Sequence, residues 1–493
     1  MLGGVISCSE DYLDINQSPV DPTQDIVAPD LLLAGALADP FDTFSVTAND
    51  LGNAMVQNWG PNVNSWTGGY DDEFRFNLST SFGDGIWDNT YRGMRTLQSI
   101  VDYEGEDFDR HVAIARIMRT FYYQYLVDLY GDIPYTEALQ LGDNLTPAYD
   151  DDKQIYRELV IDLDESIAEI NGADGDATVG IEDIVFQGDM SKWIQFANTL
   201  KLRLLVRQTV LAEQDAEVMS YLNEQFANLQ NNFLTEDATL NPGYVAAAGK
   251  QNPFYSTYGF DPTGAVGPRN TFTVAADYAA EFLKGNETEN NVMTGVFDPR
   301  VERLYEPLPS GEVVGIQQGA TSTTAPEALS FLGEGLVIDS SQDGYLITAA
   351  ESYLLQSEAV FRGYLAGDAK ALFQAGIVSS FETLGLSAAV AEAYITQSNG
   401  VNLIGWDGSA NKIEAILTQK WIALNGINGM ESWIEFTRTG YPDLPLPIIA
   451  EQPNRPNRLL YPASEYSNNS ENVLAQNQTV ADAFTTHVFW DVN

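Results

Sequence analysis

The residues best suited to chemistry are aromatics and amides set close together. Asn58, Trp59, Asn62, Asn64, Trp66, Tyr70 and Asp71 fall within about 14 positions. A second group follows later: Gln251, Asn252, Tyr255, Tyr258, Phe260 and Arg269. Flat apolar rings stack on the C–H faces of sugars, and planar amide, carboxylate and guanidinium groups hydrogen-bond hydroxyls. The candidate ligand contacts are therefore Trp66, Trp59, Tyr70, Asn62, Asn64, Asp71, Tyr255, Tyr258 and Arg269. Trp66 leads the set, because Asn64, Ser65, Thr67 and Gly68 around it are too small and polar to build a core. The competing reading is that these aromatics pack the stretches that carry them onto the rest of the protein.

Other chemistries find less material. Two histidines, His111 and His487, and one cysteine, Cys8, leave no internal disulfide, no thiolate cluster and little scope for imidazole catalysis. Asp174-Gly175-Asp176 begins like a calcium-binding loop, but Val179 stands where that loop requires glycine, so no metal is expected. No cofactor is expected either. With 70 acidic residues, paired carboxylates have no meaning in sequence, and a helical glycoside hydrolase stays open as an alternative that product formation would reveal. The formal net charge of -46 opposes nucleic acid and polyanionic sugars. A neutral glycan feels no such penalty, and a laminarin-type β-glucan is the first candidate.

Val5-Ile6-Ser7-Cys8 reads like the end of a lipoprotein signal, with acidic residues following, and Cys8 is the expected lipidation site. No later apolar run reaches the roughly 18 residues needed to span a bilayer. Attachment to a membrane is expected through the lipid anchor only.

The elements that must position these residues are mostly helices. Ile114, Ile117, Phe121, Tyr125 and Leu129 form one stripe over about 110–130, closed by Gly131 and Pro134. Asp151 with Gln154 opens the next in the manner of a capping box. Trp193, Phe196, Leu200 and Leu204 share a third stripe, with Lys201, Arg203 and Arg207 expected to turn away from it. A fourth runs over about 345–365 and pairs with another opening at Gly367-Asp368; a fifth carries Ile413, Ile416, Leu417, Trp421 and Leu424. Trp193, Trp421, Trp433 and Trp406 are expected to be structural. Two stretches, about 39–84 and 231–341, lack helical period and are rich in Gly, Asn, Pro, Ser, Thr and aromatics.

Five blocks, in order, resemble one family. They are Cys8-Ser9-Glu10-Asp11-Tyr12-Leu13; Asp128-Leu129-Tyr130-Gly131-Asp132-Ile133-Pro134-Tyr135; Gly188-Asp189 with Lys192-Trp193 through Leu202-Arg203; Thr418-Gln419-Lys420-Trp421 with Glu431, Trp433 and Arg438-Thr439-Gly440-Tyr441-Pro442; and Arg458-Leu459-Leu460-Tyr461-Pro462 with Glu465. Together they resemble the SusD/RagB lipoproteins of Bacteroidetes. The family often shows paired arginines where this chain has Thr437-Arg438, a departure read as surface variation.

The resemblance implies a mainly α fold, a tetratricopeptide-like helix-pair superhelix with a loop-rich second lobe. On that basis residues 1–16 form the lipoprotein N-terminus and anchor segment, and 17–493 a single domain. Its helical scaffold covers about 86–211 and 343–440, and its ligand lobe about 39–84 and 231–341. It further implies a non-enzymatic protein of the outer membrane's outer face, which captures oligosaccharides and delivers them to a SusC-like TonB-dependent transporter. Peptide capture, as in RagB-like members, is the alternative on the same scaffold.

Overall fold

The computed structural model describes residues 27–62, 70–140, 144–173, 175, 177–321 and 325–493. Helices dominate it. The stripe ending at Leu129 becomes the helix Asp109–Tyr130, closed by Gly131 at φ 74°. Asp151 caps Asp152–Gly172 by accepting the Gln154 N–H at 2.9 Å. Met190–Arg207 follows, capped by Asp189. The fourth stripe starts later than its pattern implied. Gly344–Ile347 is a strand paired with Ala238–Leu240, and the helix Ala349–Phe361 begins only after the Thr348 cap. Its partner Ala369–Thr383 lies so close that a Cβ on Gly376 would stand 2.7 Å from Leu354 Cγ. Lys412–Leu424 and Gly429–Thr439 complete the scaffold.

Lys201, Arg203 and Arg207 depart from their expected exposure. All three are buried, because the helix Met190–Arg207 packs on both sides. Arg203 holds Glu351 through two bonds of 2.9 Å, and Arg207 holds Glu431 at 2.8 Å and also Glu435. Lys420 reaches Glu431 at 2.9 Å, and Arg438 reaches Glu358 at 2.8 Å. Arg438 is thus a member of a buried ionic network, which corrects the reading of Thr437-Arg438 as surface. Each buried cation meets carboxylates in a geometry that offsets its lost hydration.

The first aperiodic stretch is more ordered than its composition implied. A π-helical turn, Thr43–Ala48, runs into the helix Asn49–Met55, every residue of which is buried. Burial on all sides erases the polar–apolar period by which a helix is recognised. Asn49 and Asn53 bond to the turn before Gly429: Asn49 Nδ2 donates to the Gly426 carbonyl at 2.9 Å, and Asn53 Oδ1 accepts the Gly426 N–H at 3.0 Å. A Cβ on Gly52 would lie 2.1 Å from the Gly429 carbonyl carbon, so only glycine permits this approach. The strand Trp59–Pro61 then pairs antiparallel with Thr273–Ala275, Trp59 opposite Ala275. One hydrophobic core runs through the helices and both stretches, taking in Trp59, Trp87, Phe121, Trp193, Tyr258 and Trp433.

Candidate functional site

The two aromatic stretches meet at Asp50. Its side chain leaves the buried helix Asn49–Met55 and collects three donors from distant parts of the chain. The Tyr70 and Tyr258 hydroxyls both donate to Oδ1, the latter at 3.0 Å, and Arg269 Nη2 donates to Oδ2 at 2.9 Å. The Arg269 guanidinium lies 5.2 Å from the Tyr70 ring centroid and 5.0 Å from that of Phe272. Tyr70 stacks on Phe272 at 5.6 Å and on Phe74 at 5.5 Å. These contacts hold Tyr70 at φ 60°, a backbone region that bulky residues rarely occupy.

The cluster's electrostatics are those of a shielded charge pair. Burial pushes the Asp50 carboxyl up, against the pull of Arg269 and the two phenols. Burial and the Asp50 charge push both phenols well above the ordinary tyrosine value, so they remain hydrogen-bond donors. Burial works against the Arg269 cation, but Asp50 and the surrounding oxygens outweigh it and raise its pKa. The Arg269 side chain keeps 34% of its surface exposed. That exposed part borders a cleft of about 310 Å³ walled by Val46, Thr47, Glu73, Phe82 and Asp84. The arrangement offers an oriented cation beside an apolar wall and carboxylates, which suits the hydroxyls of an uncharged ligand.

Asp132, Asp151 and Asp152 bring carboxylate oxygens within 4.8 Å of one another. Each accepts a backbone N–H: Asp132 from Asp152, Asp151 from Gln154 and Asp152 from Phe489. Their grouping is explained by caps and turns.

A family model described as starch-binding and associating with the outer membrane, SusD-like, matches residues 21–462. The chain belongs to the SusD-like family. Solved structures share its fold. A chitin-binding protein superposes with a TM-score of 0.74 at 24% identity, over 94% of this chain and 100% of the other. A chitin-binding SusD homologue from Flavobacterium johnsoniae gives 0.71 at 23%, over 94% and 99%. A SusD-like protein from Bacteroides thetaiotaomicron gives 0.73 at 23%, over 94% and 99%. No curated protein matches the sequence. The mainly helical fold expected of a SusD-like chain is the fold observed. Among its described residues, no helix is long and apolar enough to cross a membrane.

Within this SusD-like protein the sequence-derived candidates divide into four groups. Tyr70, Tyr258 and Arg269 come together, but the two tyrosines are buried and orient Arg269 rather than offering their faces. Trp59 is wholly buried (0% exposed), packed on Tyr258 at 5.3 Å and Phe254 at 6.4 Å. No sugar ring can reach it, which corrects its assignment as a stacking residue. Asn62 is buried as well, with its N–H on the Phe272 carbonyl at 2.6 Å, so it anchors the strand end rather than contacting ligand. Asp71 is exposed but engaged by Arg75 at 3.1 Å, and Tyr255 is half-buried on the helix Pro253–Tyr258. Asn64, Trp66 and Cys8 lie outside the described residues, as do Asp174 and Asp176. The residue that sequence reasoning missed is Asp50, one acid among 70, with no neighbouring pattern to single it out.

Proposed function

We propose that this protein binds a neutral oligosaccharide at the outer face of the outer membrane and passes it to a SusC-like TonB-dependent transporter. It is tethered through Cys8 and catalyses no reaction. Membership of a family described as starch-binding carries this reading. A laminarin-type β-glucan is the first ligand to test. Chitin oligosaccharides come second, because two solved relatives are chitin-binding.

The stacking surface is Trp66. Six of the seven other tryptophans are buried, and Trp406 is half-buried against Phe361, Phe373 and Lys412. Trp66 stands four residues from Asn62 and four from Tyr70, and both of those are fastened to Phe272 beside Arg269. Calorimetric titration with laminarin, chitin oligosaccharides and starch tests the reading. Trp66→Ala should weaken the preferred glycan by about thirtyfold, the equivalent of roughly 2 kcal/mol, with an unchanged melting temperature. A variant with unaltered affinity would remove Trp66 from the site. Binding of peptides instead of glycans would favour the RagB-like alternative, and glycan cleavage would mark an enzyme.

A further inference from the structure

A second cleft has a volume of about 920 Å³. Three of the elements that wall it also wall the cleft at Arg269. Asp42 lines the larger cleft, and Val46, a turn further along the same segment, lines the smaller. Ser256 lines the larger and Tyr258, two residues on, lines the smaller. The helix Asp84–Val101 contributes Gly85 to the smaller and Thr96 to the larger. Eleven residues are three turns, so Gly85 and Thr96 share one stripe about 16 Å apart along the axis. Asn89 stands on that stripe between them; Arg92, bonded to it at 2.8 Å, turns toward a third cleft lined by Trp87, Asp88 and Tyr91.

From these juxtapositions we infer that the two clefts are one groove, shaped for a glycan chain of at least four or five units rather than for a short sugar. A pyranose unit advances a chain by about 5 Å on ordinary bond lengths, so a 16 Å span takes three linkages. The larger cleft has groups suited to sugar: the half-buried ring of Tyr244, the carboxylates of Asp39 and Asp42, and an apolar edge at Leu31, which is 76% exposed. Burial, with Asp42 and Asp343 adding to it, pushes the Tyr244 phenol up, so it stays a neutral donor.

The inference rests on the glycan reading above, and its test separates the two. Ladders of laminari-, chitin- and malto-oligosaccharides, two to eight units long, would be titrated into the full chain. Affinity for the ladder that binds should rise at least tenfold between the trimer and the hexamer, then level off. Gly35 lines the larger cleft, and a Cβ added there meets nothing within 4 Å. Gly35→Leu should therefore fill the cleft without disturbing the fold and bring the hexamer down to the trimer's affinity; Tyr244→Ala should do the same. Affinity that levels off at the dimer or trimer, or a hexamer indifferent to both variants, would overturn the long groove and leave glycan binding intact. Failure of every ladder to bind would overturn the glycan reading and the groove with it.

Discussion

Trp59 and Trp66 look alike in sequence, each set among asparagines, yet their substitutions should have opposite consequences. Trp59 fills the core, so Trp59→Ala should cost about 4 kcal/mol of stability and lower the melting temperature. Trp66→Ala should leave the melting temperature alone and reduce glycan affinity. Measuring both quantities on both variants tests the distinction. Asp50 gives a third outcome. Asp50→Ala leaves two buried phenols without an acceptor and Arg269 without its carboxylate. Because Arg269 is one-third exposed, water recovers part of the loss, and a destabilisation of about 2 kcal/mol is expected together with weakened binding. Denaturant unfolding and titration of the same variant would show both effects.

At the scale of elements, the long helices were legible and the short, wholly buried helix Asn49–Met55 was not. The helices Asp109–Tyr130 and Asp152–Gly172 announce themselves through apolar stripes and capping residues. Periodicity misled at Lys201, Arg203 and Arg207, because a polar stripe looks the same whether it faces water or buried carboxylates. Their partners include Glu351, Glu431 and Glu435, about 150 or more residues away, a separation that local pattern cannot register. Composition likewise concealed the helix Asn49–Met55, and with it Asp50.

The ionic network also sets the acid response. Burial alone would raise the Glu431 carboxyl, but Arg207, Lys420 and Arg203 outweigh it and hold it at about 2, below its ordinary 4.5. Glu435 is held low by Arg438, Lys420 and Arg207 against the same burial. A depressed carboxyl stabilises the fold above its unfolded pKa and loses that contribution as pH falls through the folded one. The melting temperature should therefore drop between pH 4.5 and 2. Asp152 works the other way. Burial pushes it up to about 6 from 3.8, so the fold prefers its protonated form, and that preference is lost as pH rises through 6. Asp152→Asn should raise the melting temperature at pH 7 to 8 and change it little at pH 4. A pH series of thermal melts on both proteins would decide it.

For the whole molecule, the negative charge belongs to the outside. There are 24 Lys+Arg against 70 Asp+Glu, and the buried cations, Arg203, Arg207, Arg300, Lys420 and Arg438 among them, are matched by buried carboxylates such as Glu351, Glu358, Glu431, Glu435 and Asp298, so burial leaves the excess of acids at the surface. The surface field should repel alginate or pectin at low ionic strength, while affinity for a neutral glycan should change little with salt. Titrations at two salt concentrations would show the contrast. The membrane assignment has its own test. Expressed in the native host, the protein should incorporate a fatty-acid analogue, and Cys8→Ala should not; labelling of both would refute the anchor. Recovery of a SusC-like barrel with the protein from mild detergent would support delivery to a transporter.

The seating of Gly52 against Gly429 has a consequence for motion. Asn49 and Asn53 reach across the same junction, and Asn49 Oδ1 accepts the Gly429 N–H at 2.7 Å, so the helix Asn49–Met55 cannot leave Gly429–Thr439 without breaking buried hydrogen bonds and opening the close approach at Gly52. Segments joined in this way open together or not at all. The amide protons of 49–55 should then exchange with deuterium as slowly as those of 429–439, although composition alone would class the first segment among the loops. Fast exchange there would mean that Asp50 stands on a mobile support. Slow exchange would mean that a ligand meets a carboxylate and an arginine already in position, and that the ordering cost of binding falls on other parts of the protein.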